Sequence, residues 1–282
     1  MSLQTLGFEM DYARFFAEDD LQGNAFYLSQ LPTDTVECLL KIKSDVRLSG
    51  LPYFVGAFNF LGATLDYNDF KKYEGMNFKK GEVITFKLPF AIALTGERIA
   101  LNLLQQATRI STFTEKFVKL SEGTNTKILD TRKTTPGLRQ LEKYAVRIGG
   151  AHNHRFSQAD AWMIKDNHKT FFGGLPGAWK YFQSMQTFYQ NIIVEIHSLE
   201  ELKTAFDLGV KNVMLDNFSS DDLKKAIEIK IPGVTYEVSG GVNFETLPTF
   251  LLNGIDAVSI GALTHSAPHI DLSMKIKTVG SK

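Results

Sequence analysis

Short apolar runs alternate with amphipathic stretches along the second half of the chain. TKILDT (126–131), AWMIKD (161–166), NIIVEI (191–196), NVMLDN (212–217), VTYEVSGG (234–241) and AVSIGA (257–262) read as buried β-strands. Between them, 137–148, 176–189, 198–208, 219–228 and 244–253 read as helices, the first with Leu138, Leu141, Tyr144 and Ala145 at helical spacing. The last three strands recur at about 22 residues. This alternation predicts parallel β/α units, and six of them predict a closed or nearly closed α/β barrel rather than a sandwich.

The first half reads as a mixed α+β module. Short helices are expected over 13–21 and 33–42, and strands over 46–61 and 82–95, which are rich in Val, Phe, Leu and Ile. A long helix is expected from about Gly96 to Leu120, where Leu101, Leu104, Ala107, Ile110 and Thr114 recur at three- and four-residue steps. Gly123 closes it.

Composition narrows the class. The 282 residues are 44% hydrophobic and 22% charged, ordinary for a soluble globular protein. Lys plus Arg and Asp plus Glu are both 31, so the chain lacks the basic excess of a nucleic-acid binder, and any anion binding must be local. The most apolar window, KLPFAIALTG (87–96), is too short for a membrane helix and contains a proline. The N-terminal stretch has acids and no basic start, which argues against a signal peptide. The single cysteine, Cys38, excludes an internal disulfide, predicts a cytoplasmic setting, and sits in VECLL as a small buried hydrophobe.

Polar residues stand at the ends of the six strands: Asp130-Thr131-Arg132-Lys133, Lys165-Asp166-Asn167-His168, Glu195 with His197, Asp216-Asn217, Ser239-Gly240-Gly241 and Gly261-Ala262. In a parallel barrel these ends meet on one face, so they predict one shared site. Residues 131–169 hold eight Lys or Arg against three acids, and three of the six histidines. Such a local field suits a small ligand with more than one negative charge, since Arg forks onto carboxylate or phosphate and Lys acts as a point charge. The glycines after the last two strands let backbone N–H groups approach a phosphate. Glu195 and Asp216 are candidates to hold Mg²⁺, directly or through water; pairing with Lys133 or Lys165 is the alternative. The histidine spacing lacks HExxH and the chain has no CxxC, which argues against zinc. His197 and His269 read as structural or surface groups. These features describe an enzyme for a phosphorylated, polyanionic small molecule without fixing its reaction.

TRKTTPGLRQLEKYAV (131–146), NHR (153–155), MIKDNH (163–168), VMLDN (213–217), EVSGGV (237–242) and SIGALTHS (259–266), in this order, resemble the quinolinate phosphoribosyltransferase family. GERIALNLLQ (96–105) is similar to the family's segment before the barrel, and EDDLQGN (18–24) loosely resembles its N-terminal motif. The resemblance implies an N-terminal α/β sandwich (1–110) joined to an incomplete α/β barrel (111–266), with the tail 267–282 returning to the first domain. It implies a homodimer with shared active sites. The implied reaction joins quinolinate to phosphoribosyl pyrophosphate with Mg²⁺, giving nicotinate mononucleotide, pyrophosphate and CO₂ for de novo NAD synthesis.

By the same resemblance, Arg132, His154, Arg155 and Lys165 line the dicarboxylate pocket, and Arg98 enters from the partner subunit. Lys133, Glu195 and Asp216 are catalytic, the two acids facing the ribose and the metal-bound pyrophosphate. Ser239, Gly240, Gly241, Gly261 and His265 take the 5′-phosphate. Arg139 and His168 are equally compatible with a structural role. Three departures stand out: Ala151-His152 within IGGAHNHR where the family has a third glycine, Thr108-Arg109 where it has Ser-Gly, and Asn24 where it has an acid. A sister transferase for another base, or a non-catalytic nucleotide sensor, are the competing readings.

Overall fold

The computed structural model describes residues 10–18 and 29–278. Most of the 13–21 helix expectation falls on Tyr12–Glu18, which is helical. The remainder of that expectation, the EDDLQGN motif beyond Glu18, and Asn24 lie outside the described residues. Contacts divide the chain into one unit of residues 1–115, 135–150 and 267–282 and another of 116–134 and 151–266. Residues 135–150, read from the sequence as part of the second domain, thus group with the first.

The first unit contains strands β1 (Thr35–Ile42), β2 (Val46–Arg47), β3 (Asn77–Phe78) and β4 (Val83–Pro89). Residues 33–42 were expected as a helix and are instead largely β1. Val36, Cys38, Leu40 and Ile42 are all buried, a period of two that only an extended chain can turn to one side. Burying a large aliphatic side chain contributes about 1.5–3 kcal/mol, which outweighs helix propensities of at most about 0.7 kcal/mol per residue. β1 pairs with β4 antiparallel, setting Cys38 opposite Phe86 and Leu40 opposite Ile84. Cys38 is inert in this setting: burial first, then Glu97 and Glu37, push its thiol up to about 11.

Residues 46–61 were expected as strand; only β2 is, and Leu51–Phe60 is a helix. Every residue from Leu51 to Phe58 is buried, so the run has no polar face from which to read a period. Glu74 stabilises its start, accepting from the Gly50 N–H at 2.8 Å and the Leu51 N–H at 2.9 Å. Its Phe54 packs edge-on against Phe86 of β4, with centroids 5.7 Å apart. The 82–95 expectation splits likewise: β4 ends at Pro89, and a 32-residue helix, Phe90–Ser121, begins. Thr108 of that helix explains one departure from the family pattern, since its hydroxyl donates to the Ser49 carbonyl at 3.0 Å. Arg109 donates through Nη1 to the Ala267 carbonyl at 2.5 Å.

The second unit contains β5 (Lys127–Leu129), β6 (Trp162–Ile164), β7 (Ile192–Ile196), β8 (Asn212–Asp216), β9 (Thr235–Ser239) and β10 (Ala257–Ser259). All six expected strands are present, in one parallel sheet of order β5-β10-β9-β8-β7-β6. The first strand pairs with the last, and Leu129 also bridges His152 in parallel. Among the described residues no pairing joins that edge to β6, so the barrel is incomplete. Helices follow at Asp166–Phe171, Leu175–Met185, Leu199–Asp207, Ser220–Glu228 and Ala262–His265. The helix expected over 244–253 is one 3₁₀ turn, Leu247–Thr249, because Pro248 cannot donate to a helical ladder. Ala151 is not among the positive-φ residues, so the family's third glycine is not required for backbone conformation here.

β11 (Leu272–Thr278) completes the first unit's sheet, pairing antiparallel with β1 so that the order is β11-β1-β4. Among the described residues no helix is long and apolar enough to cross a membrane.

Gly50 provides a test of the first unit's packing. Its φ is +101°, and an added Cβ would lie 2.6 Å from the Ala107 Cβ. Gly50→Ala is expected to cost about 3 kcal/mol in denaturant unfolding, the sum of left-handed strain and overpacking.

Candidate active site

A cavity of about 1090 Å³ opens at the C-terminal ends of the parallel strands in the second unit. Arg132, Lys133, His154, Arg155, Lys165, Glu195, Asp216, Ser239, Gly240, Gly241, Gly261 and His265 all line it. Of the expected site residues only Arg98 does not; it is exposed on the helix Phe90–Ser121 in the first unit.

The cationic wall follows β5. Asp130, fully buried at the strand's end, accepts from Asn153 Nδ2 at 2.6 Å and from the His154 N–H at 2.8 Å. This fixes the NHR segment beside TRK. Arg132 Nε is buried without a hydrogen-bond partner among the described residues, an expensive state unless an anion meets it. Arg155 donates to the Ala161 carbonyl at 2.9 Å, and its pKa is lowered by burial and by the charge of Arg132 beside it. Lys133 is held through its backbone: its carbonyl accepts from Thr264 Oγ1 at 2.7 Å. Pro136 and Gly137 form a turn ahead of the helix Arg139–Ile148 rather than its start, and Arg139 is not a cavity residue.

The acids sit opposite. Lys165 Nζ is in hydrogen-bond contact with Glu195 Oε2. The Asp216 carboxylate accepts from Ser239 Oγ at 2.5 Å and from Asn217 Nδ2 at 2.8 Å. Asn217 is the one positive-φ residue other than glycine among the described residues, and its N–H donates to the Ser239 carbonyl. The Gly240 position has no room for a side chain, since an added Cβ would lie 2.2 Å from Asn217 Oδ1. His168 acts structurally as well as lining the cavity: its Nδ1 accepts from the Lys165 N–H at 3.0 Å.

Three groups escaped the sequence reading. His197, read as structural or surface, lies among three carboxylates: Nε2 is 2.7 Å from Asp166 and 3.6 Å from Glu195, and Nδ1 is 3.8 Å from Asp216. Asp166, Glu195 and His197 could together hold a metal ion, a set that overlaps the expected Glu195–Asp216 pair only at Glu195. Burial opposes ionisation of Asp166, but Lys169 and His197 hold its carboxyl below the usual value. Lys169, buried, also reaches Glu201 at 2.7 Å and the Glu195 carbonyl at 3.0 Å. No sequence signal marks Lys169.

Glu237, the third, is buried in the middle of β9 with Oε1 3.3 Å from His154 Nε2. Burial pushes its carboxyl up to about 7, against the lowering effects of Ser259, Lys165 and Arg155. Its signal was available: it is a lone charge in an apolar strand, two residues before Ser239 and so on the same face.

Residues 110–275 match the family described as quinolinate phosphoribosyl transferase, C-terminal domain. The chain is 38% identical over 263 residues to a probable nicotinate-nucleotide pyrophosphorylase [carboxylating] of Bacillus subtilis, covering 93% of this chain and 91% of the relative. It is 32% identical to the Rattus norvegicus nicotinate-nucleotide pyrophosphorylase [carboxylating], over 95% of this chain and 91% of that one. Its fold matches the crystal structure of NadC from Streptococcus pyogenes with a TM-score of 0.86 and 33% identity, covering 95% of each chain.

Glu237 makes stability pH-dependent. Its folded pKa is raised, so the protonated folded state is favoured: its contribution is complete below the unfolded carboxyl range and is lost as pH rises toward about 7. The loss amounts to about 3 kcal/mol by the conversion of a pKa shift to free energy. Urea unfolding of Glu237→Gln is expected to show a flatter stability profile between pH 5 and 8 than the wild type.

Proposed function

The chain belongs to the quinolinate phosphoribosyltransferase family, and we infer from this and from its cavity that it joins quinolinate to phosphoribosyl pyrophosphate. The products are nicotinate mononucleotide, pyrophosphate and CO₂, and the reaction serves de novo NAD synthesis. The observation that carries the substrate reading is the cationic wall of Arg132, Arg155 and Lys165, with the buried, unpartnered Arg132 Nε in it. Planar guanidinium forks match a planar pyridine dicarboxylate.

The roles follow from charge. Arg132, His154, Arg155 and Lys165 bind the two ring carboxylates and fix the pyridine nitrogen against the sugar. Ser239, Gly240, Gly241, Gly261 and His265 receive the 5′-phosphate. Gly241 supports this: nothing lies within 4 Å of where its Cβ would be, so its backbone is accessible. Breaking the ribose–pyrophosphate bond develops positive charge on the sugar, which Glu195 and Asp216 stabilise while Lys133 takes the leaving group's negative charge. In the ribosylated intermediate the C2–carboxylate bond breaks to release CO₂; its electron pair stays on C2, stabilised by the adjacent positively charged ring nitrogen, and C2 then takes a proton from solvent.

A divalent cation fits this donor set. Mg²⁺ takes one or two carboxylates with water and substrate phosphates, and neutralises charge on pyrophosphate. Lys165 already covers Glu195 Oε2, so a direct metal bond there would place two cations on one carboxylate. Ser239 and Asn217 likewise occupy the two Asp216 oxygens, so Glu195 and Asp216 would hold the ion directly or through water.

We place the protein in the cytoplasm as a homodimer with shared sites. Buried Cys38 is compatible with a reducing compartment. Arg98 is exposed, and in the family's arrangement the corresponding Arg reaches the partner's dicarboxylate pocket. Incubating the purified protein with quinolinate, phosphoribosyl pyrophosphate and Mg²⁺ is expected to give nicotinate mononucleotide, and its absence would sink the assignment. Mixing inactive Arg98→Ala with inactive Lys165→Ala is expected to restore roughly a quarter of wild-type activity through hybrid dimers, from random pairing and one intact site in each hybrid. Inactive heterodimers would count against shared sites.

A further inference from the structure

We propose that Glu237 is a positioning residue of the dicarboxylate pocket, orienting His154 and taking up a proton when the substrate's two carboxylates bind. The inference rests on the dicarboxylate reading of that pocket. His154 Nδ1 accepts from the Arg155 N–H at 2.7 Å, which puts the proton of the neutral ring on Nε2. Nε2 lies 3.3 Å from Glu237 Oε1, and both side chains are nine-tenths or more buried. The contact places a β9 carboxyl against the ring's Nε2 edge.

The surroundings of Glu237 make its charge conditional. His154 and Arg155 face it from the segment after β5, Lys165 from the end of β6 and Ser259 from β10; Met214 is its register partner on β8. Arg132 stands beside Arg155, and Glu195 is bound to Lys165. In the free site burial outweighs the support that Ser259, Lys165 and Arg155 give the carboxylate, so the group is pushed up to about 7. A bound dicarboxylate pairs with those same cations. Their support for the Glu237 anion then falls, and two new negative charges oppose it. The neutral acid becomes the stable form.

Protonation does not cost the group its neighbours. Oε1 stays 3.3 Å from His154 Nε2 as a polar contact, and Ser259, which donates to the carboxylate, can instead accept from the acid O–H and turn its own hydrogen to the Val238 carbonyl, 3.4 Å away. The proton comes from solvent, and no covalent bond other than that O–H changes. Glu237 thus keeps His154 in place in both states while removing a buried negative charge from beside the substrate.

Titration calorimetry of the full-length protein with quinolinate at pH 7, in buffers of differing ionisation enthalpy, tests this. Wild type is expected to take up about half a proton, as linkage requires of a carboxyl half-ionised near that pH. Its Kd should weaken up to about tenfold per pH unit above pH 7.5. Glu237→Gln, which mimics the neutral acid, should take up none and bind with a Kd nearly constant between pH 6 and 8. Equal proton uptake by both proteins overturns the inference and leaves the dicarboxylate pocket standing. No binding by wild type overturns both. Should Glu237→Gln fail to fold, Ser259→Ala serves: losing a hydroxyl that steadies the anion must move the break in the Kd profile to higher pH, and an unmoved break overturns the proposal.

Discussion

A parallel sheet sends the C-terminal ends of its strands to one edge, and everything at this site depends on that. Hydrogen-bond register brings Asp216 level with Ser239, and Ser259 level with Leu129, immediately before Asp130. Residues separated by more than a hundred positions therefore reach one cavity without a dedicated loop to carry each of them. The pairing of β5 with β10 adds the second half of this constraint, because it folds the two ends of the sheet's chain order together. Lys133 and Thr264 can then bond directly, uniting the cationic and the phosphate-facing segments.

Neutral net charge and a strongly charged cavity are compatible because charge is compensated locally. Lys165 rests on Glu195, Ser239 and Asn217 occupy Asp216, and His197 spans three acids. Burial and the nearby charge of Arg132 depress the pKa of Arg155, and among the described residues Arg132 Nε has no hydrogen-bond partner. The imbalance is thus concentrated on the dicarboxylate side. Lone charges buried in this way would be too costly to retain, so the compensating contacts are a condition of having the site at all.

The second unit was legible because its strands are short, apolar and bounded by helices with a polar face. Two periodicities alternate cleanly there, and polar residues fall at strand ends. The first unit was less legible for a physical reason: Leu51–Phe60 is apolar on all sides, and the apolar run in β1 is short enough to resemble a helix turn. Only the tertiary partners, the Glu74 cap and the pairing with β4 and β11, decide between the two. In the site, side chains at strand ends were readable, whereas His197 and Lys169 gained their roles from neighbours far along the chain. Glu237 was readable in principle, since a charge inside a buried strand needs a reason.

The close fit of Gly240 against Asn217 also bears on how such a chain can change over generations. An added Cβ at 240 would meet not only the amide of Asn217 but also its backbone nitrogen, 2.8 Å away, and φ at 240 is +92°. No exchange at 217 relieves either obstacle, so glycine at 240 is fixed whatever stands beside it. The phosphate-facing loop can therefore vary only at its other positions.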